Sequence, residues 1–362
     1  MRLVSPLLKH VLYPGLAQTG YLRRQAQSGV AVITYHGVAP SGFRSLDPAL
    51  NGTLVTAEAL RSQIRLLQRK YSVISARQFQ EWFLDQRALP PRPVLLTCDD
   101  GLQNNLTDML PVLQEHGVSC LFFVTGASAR ETSSLLWYEE LYLMFLTVPH
   151  LAFELPEFDL AVTVSSEFER RSKWWQLLRK MSRYDQSTRC AILELIRERL
   201  GLGDDWKEGY MANSGARRFA LLTAPQLREL SRAGMSIGAH TLSHPVLSQL
   251  PEELARQEVL ESRLSLEQVL RQPVWALAYP FGDHASVTSR ELRLAEEAGF
   301  SCAFINVDGG FGASASRFAF PRVHVTSDMK LGEFEAHVSG FYGALRRRFA
   351  EKLGRGAPAA GA

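Results

Sequence analysis

From Gly29 onward, short apolar runs alternate with stretches whose apolar residues recur at helical spacing. Val30–Tyr35, Tyr71–Ser75, Pro93–Cys98 and Val118–Val124 read as strands. Between them, Leu60, Ile64 and Leu67 recur behind Thr56, a residue suited to cap a helix N-terminus. Ala76–Leu84 is a second helix. Asn104–His116 is a third, with Leu106, Met109, Leu110 and Leu113 on one face and Gly117 closing it. The rhythm breaks from about Ala127 to Phe219, where Trp137, Trp174 and Trp175 accompany two expected helices near Lys173–Ser182 and Thr188–Leu200. It resumes with a helix between Thr223 and Gly234, then the strand Met235–Ala239. The helix Pro251–Arg271, the strand Val274–Tyr279, the helix Ser286–Ala298 and the strand Ser301–Ile305 follow. A last strand near Phe318–Val325 and a helix near Lys330–Arg348 complete the pattern. Such alternation predicts a parallel sheet with helices outside it, open or closed into a barrel.

The expected organisation is therefore a basic leader at 1–28, one α/β domain at 29–350 with a helical insertion at about 127–219, and a flexible tail at 351–362. No Pro/Gly/Ser-rich tether sets the insertion apart as a separate domain. The leader places Leu7, Leu8, Val11, Leu12 and Leu16 among Lys9, Arg23 and Arg24. It is expected either to pack on the domain as a short helix or to lie on a membrane surface, although Pro14 and Gly15 interrupt it.

Composition narrows the function. At 46% hydrophobic and 21% charged residues, the 362-residue chain is globular, and a formal charge of +3 without a basic block argues against a nucleic-acid partner. Cys98, Cys120, Cys190 and Cys302 form no C-x-x-C pair, so a zinc knuckle is not indicated. Pro6, Lys9 and His10 break any signal-peptide core. A cytoplasmic location, peripheral to the inner membrane if the leader touches it, is the expectation.

Polar residues concentrate directly after expected strands, where α/β folds build their sites. Asp99 and Asp100 follow one strand and precede Gly101. Buried together they would need a compensating cation; the alternative is an exposed acidic turn. His240 and His244 stand four residues apart behind another strand, a spacing that lets two imidazoles meet one ion. Two His and one carboxylate leave open positions for water and substrate, which suits hydrolysis.

These segments resemble the NodB-homology polysaccharide deacetylases, carbohydrate esterase family 4. Thr97-Cys98-Asp99-Asp100-Gly101 is similar to the family's T-F-D-D-G with Cys in place of Phe, and His240–His244 matches its H-[ST]-x-x-H. Ala278-Tyr279-Pro280-Phe281-Gly282 looks like its third motif, and Tyr35-His36-Gly37-Val38 like the Y-H-x-V of one branch. The resemblance implies a distorted (β/α) barrel and a metal-dependent hydrolase that removes acetyl groups, most often N-acetyl, from a surface polysaccharide or its lipid-linked precursor. A catalytically silent glycan-binding protein on the same barrel is the alternative. By motif, Asp99 is the base and Asp100, His240 and His244 hold a divalent ion, zinc by default, with cobalt, nickel and iron also compatible. Tyr279 and Phe281 fall to the substrate and oxyanion. Ala278 stands where the family carries an Arg that braces the base. Arg322 is the substitute at that position or a further substrate contact, with a plain surface residue as the alternative. His324 and His36 are the two leading candidates for the general acid, and His284, in a loop after Asp283 and expected to be exposed, is a third. The insertion, with its tryptophans, is expected to wall or cover the site.

Overall fold

The computed structural model describes residues 8–24, 29–40, 53–132, 134–148, 150–208, 216–307 and 316–352. Ten strands occur among them: β1 (Ala31–Tyr35), β2 (Ser72–Ile74), β3 (Pro93–Cys98), β4 (Leu121–Val124), β5 (Leu151–Leu155), β6 (Leu160–Val164), β7 (Ser236–Ala239), β8 (Ala276–Ala278), β9 (Cys302–Phe304) and β10 (Val323–His324). All but β5 and β6 form one parallel sheet in the order β10-β1-β3-β4-β7-β8-β9, with β2 beside β3. A bridge from Phe304 to Phe320, just ahead of β10, brings the two edges together, Phe320 N–H donating to Ala303 O at 2.9 Å. The result is a distorted (β/α) barrel whose last side is irregular chain.

Alternate strand residues serve two separate clusters, as the two-residue side-chain period requires. Ile33, Leu96, Phe122, Ile237 and Leu277 join the cluster that also holds Leu60, Ile64, Leu227, Val259 and Leu294 of the surrounding helices. Val32, Leu95, Phe123, Ala278 and Phe304 face the other way and pack with Phe79 and Phe320. The helices form where caps and periodicity place them: Thr56 Oγ1 accepts the Ala59 N–H at 3.1 Å, and Ser75 and Gln78 make a reciprocal capping box on Ala76–Asp85.

Three expectations are corrected. Residues expected as one helix from Asn104 open with a π-helical turn, Asn105–Met109, before Leu110–Glu115. The helix expected at Lys330–Arg348 is two, Leu331–Val338 and Phe341–Lys352, because Gly340 turns the chain with a φ of +76°. The insertion is not wholly helical. It contains the antiparallel hairpin β5–β6, beside the helices Trp137–Thr147, Glu167–Met181 and Gln186–Arg199. These elements share a core of their own that includes Leu141, Phe145, Leu178 and Ile192.

The leader packs on the domain: Tyr13 and Leu22 are buried with Ala336 and Tyr342, and Lys9 pairs with Asp328 at 2.8 Å. No helix among the described residues is long and apolar enough to cross a membrane. Of the tail expected at 351–362, Glu351 and Lys352 belong to the last helix, and residues 353–362 lie outside the described residues.

Candidate active site

Four strand ends deliver the polar residues to one place. β3 ends in Cys98, and its continuation is fixed by the Asp99 N–H donating to Tyr35 O at 2.9 Å. Asp100 and Gly101 then take φ values of +75° and +72°, which turn the chain away at once. Any side chain at Gly101 would also meet Val124 Cγ1 at 2.6 Å, so only glycine fits. Of the eight non-glycine residues with positive φ among the described residues, Asp100, Thr241, His244 and Phe281 lie here. Each such conformation costs about 1–3 kcal/mol, so the surrounding contacts must over-determine it.

Asp99 is buried and held by both arms of Arg322, Nη1 to Oδ1 at 2.6 Å and Nη2 to Oδ2 at 2.7 Å. Arg322 is 1% exposed, which excludes the surface alternative. Its Nη1 also donates to Thr34 Oγ1 at 3.2 Å, and its guanidinium lies over the Phe123 ring. Burial alone would raise the Asp99 carboxyl, but Arg322 and His240 hold it below the usual carboxylate range.

Asp100 faces the two imidazoles. Its Oδ1 lies 3.6 Å from His240 Nε2 and 3.4 Å from His244 Nε2, and the three ligand atoms lie within 4.8 Å of one another. All three side chains are buried. Burial would raise the Asp100 carboxyl, yet its contacts with His240 and His244 hold it well below the ordinary value. His240 Nδ1 lies 2.7 Å from Ala278 O, an acceptor only, so that nitrogen carries a proton and Nε2 is the atom turned to Asp100. Separations of 3.4–3.6 Å are long for direct hydrogen bonds, and a buried carboxylate with two imidazole nitrogens is a donor set for a divalent cation. The residues present fit such an ion.

A supporting layer was not foreseen from the sequence. Glu258, on the helix Glu252–Leu270, accepts the Ser243 N–H at 2.8 Å and the Ser243 hydroxyl. Arg189, reaching from the insertion and 1% exposed, donates to Ser243 Oγ at 2.5 Å. Trp137 Nε1 donates to His244 O at 3.0 Å, and Arg189 stacks over the Trp137 ring. The insertion is therefore tied to the loop that bears both histidines. One sign was legible: Glu258 lies on the buried stripe of its helix with Ala255, Val259, Ser262 and Leu266.

The remaining candidates fall around a cavity of about 620 Å³ bordered by Asp99, Asp100, His240 and His244. His36 and His324 both border it, their rings 4.8 Å apart, and the His36 Nδ1 is buried without a hydrogen-bond partner among the described residues. Phe281 packs against the His244 ring at 5.3 Å. Tyr279 borders the cavity, but its ring belongs to the sheet–helix core and its hydroxyl donates to Phe318 O at 3.2 Å.

The insertion forms a wall of the same cavity through Tyr138, Tyr142, Trp174 and Trp175. Tyr138 packs on the His244 ring at 4.9 Å, whereas Trp137 supports the histidine loop from behind. Glu139 and Arg218 also border the cavity as a buried ion pair at 3.0 Å, and neither was singled out from the sequence.

Comparison with known proteins agrees with this architecture. The family model described as polysaccharide deacetylase matches residues 86–188 and 202–303. YxkH of Bacillus subtilis, designated a polysaccharide deacetylase, is 26% identical over 117 residues, which is 32% of this chain and 41% of that protein. The chain thus matches about two fifths of that relative's length. Among solved structures, the Streptococcus pyogenes deacetylase PplD, in complex with acetate, superposes with a TM-score of 0.54 at 15% identity, covering 85% of this chain and 97% of that one. IcaB from Ammonifex degensii gives 0.53 at 17% identity, covering 87% and 98%. At such identities the likeness is one of fold.

Proposed function

Because the chain belongs to the polysaccharide deacetylase family, we propose that it is a metal-dependent hydrolase that removes N-acetyl groups from a surface polysaccharide or its lipid-linked precursor. The observation that carries this reading is the pairing of two environments on adjacent residues: Asp99 clamped by Arg322, and Asp100 facing His240 and His244. A protein that only bound glycan would have no use for an ionised, braced carboxylate beside a donor set for a cation.

Asp100, His240 and His244 would hold the ion, zinc by default, which when bound polarises the acetyl carbonyl and lowers the pKa of water. Asp99 takes the proton of the attacking water. Arg322 keeps that carboxylate ionised and oriented, and each carboxylate oxygen retains a lone pair for the water. The water oxygen bonds to the carbonyl carbon, and the developing oxyanion falls to the backbone N–H near Phe281. When the C–N bond breaks, the departing amine takes a proton from His36 or His324. The adjacency of the two rings supports either as the donor. Trp175 and Tyr142 are assigned to the faces of the sugar.

The membrane contact expected of the leader retains one support: Val11, Leu12 and Tyr21 are exposed. Co-sedimentation with vesicles of anionic lipid, compared with a variant carrying Ser at all three positions, tests it; equal partition of the two would end the idea. The catalytic reading is tested by metal analysis of the purified protein together with acetate release from a panel of N- and O-acetylated oligosaccharides. A protein that carries one equivalent of divalent metal yet releases acetate from none of them would sink it.

A further inference from the structure

The cavity does not stop at the catalytic residues. Along the insertion helix Glu167–Met181, Arg171, Trp175 and Arg179 recur every four residues, so they share one face. Trp175 and Arg179 border the catalytic cavity and also line a second groove of about 530 Å³ together with Arg171, Ser172 and Gln176. The two spaces meet across these two side chains. Arg183, just beyond the helix, borders the catalytic cavity as well.

The charge of this ridge is uncompensated. Arg171, Arg179 and Arg183 are exposed, and none has a carboxylate within ion-pair distance among the described residues. By contrast Arg77, Arg197, Arg256 and Arg293 each pair with a glutamate. The carboxylates that border the cavity are engaged elsewhere: Asp99 with Arg322, Asp100 with His240 and His244, Glu139 with Arg218, and Asp283 with the Ser286 N–H and hydroxyl. Like charges along one helix face repel, which favours an anion between them. An aromatic face accompanies the charge. Trp175, half-buried between Arg171 and Arg179 on the same helix face, borders both spaces, with the Trp174 ring behind it at 4.7 Å.

We propose that this ridge is a binding subsite for acidic groups of an extended glycan. Trp175 stacks on a sugar face, and Arg179, Arg183 and Arg171 take a carboxylate or phosphate. The proposal rests on the deacetylase reading for its glycan and extends it to a substrate class, acetylated glycans that are also anionic. The shared chemistry is a planar or tetrahedral oxyanion that a guanidinium fork can clasp. A uronic-acid residue and a sugar diphosphate are its two sources.

Intrinsic tryptophan fluorescence of the full chain follows the binding of three probes: a glucuronate-containing oligosaccharide without acetyl groups, its carboxyl-reduced neutral form, and an N-acetylhexosamine 1-diphosphate. The expected result is that at least one acidic probe binds at least tenfold tighter than the neutral form, with a preference that shrinks as salt rises. Which acidic probe is preferred identifies the source. The double variant Arg179→Gln/Arg183→Gln should reduce that preference by roughly tenfold, as loss of charge-assisted hydrogen bonds does. Arg77→Gln, the same charge change on a distant helix, should leave it intact. Equal binding of all three probes, an unchanged preference in the double variant, or an equal loss in Arg77→Gln overturns the subsite. Acetate release, measured separately, keeps the two readings apart. Anion-dependent binding with no acetate release from any substrate would refute the deacetylase reading alone, and acetate release with no preference for acidic probes would refute the subsite alone.

Discussion

Asp99 and Asp100 are chemically identical neighbours that the fold sends to different partners, and their substitutions should separate accordingly. Asp100→Ala removes a ligand and is expected to lose both metal and acetate release. Asp99→Asn is expected to keep its metal and lose about 10²–10⁴-fold in rate, the usual worth of a general base. Metal content and acetate release measured on both variants decide it; an Asp99→Asn protein that loses its metal as fully as Asp100→Ala does would mean the roles are misassigned. Arg322 makes a further distinction at this scale. Both nitrogens that hold Asp99 come from this one side chain, so Arg322→Ala leaves a buried carboxylate uncompensated. Breaking a buried pair in this way costs about 3–5 kcal/mol. Thermal unfolding should show a large drop for Arg322→Ala, and a smaller one for the double variant Arg322→Leu/Asp99→Leu, which leaves no charge behind. A single variant as stable as the parent would contradict the geometry.

At the scale of elements, the loop from β7 is held by an insertion helix on one side and the helix Glu252–Leu270 on the other, with Ser243 between Arg189 and Glu258. Neither supporting residue touches Asp100, so their contribution is orientation of the two histidines. Partners beyond the ligands typically change metal affinity by about 10–100-fold. Glu258→Gln should weaken metal binding within that range without abolishing it, as read by competition with a chromophoric chelator. Unchanged affinity would reduce the network to ordinary packing. The leader belongs at this scale too. Tyr13 is buried against Ala336 and Tyr342, so Tyr13→Ala should destabilise the domain by about 3 kcal/mol in denaturant unfolding.

For the molecule as a whole, the site lies where barrel and insertion meet, and the ion is expected to serve chemistry more than folding. The barrel and the insertion each carry their own apolar core. Exhaustive chelation should therefore abolish acetate release while leaving far-ultraviolet circular dichroism near that of the untreated protein. Restoring zinc, cobalt, nickel or iron in turn would rank the metals. Loss of secondary structure on chelation would show instead that the ion is structural.

What the sequence determined by itself follows from local rules. The short apolar strand runs, the caps at Thr56 and Thr223 and the strand–helix alternation were sufficient for a parallel sheet with helices outside it, the resemblance of the motifs implied its closure into a barrel, and together they put Asp99, Asp100, His240 and His244 at strand ends. Local pattern also held signs that went unread. Leu151, Phe153 and Leu155 alternate with exposed residues as plainly as any strand, yet they lie in a stretch dominated by helical periodicity. Tertiary structure alone decided the rest, because it concerns residues far apart in the chain. Arg322 meets Asp99 across 223 positions because β10 returns to lie beside β1, which itself pairs with β3. His36 and His324 become neighbours through the same closure. Arg189 reaches Ser243 only because the insertion folds back over the barrel mouth. Spacing along a chain reports which side chains share a face of one element, but which faces meet is settled by the packing of whole elements against one another.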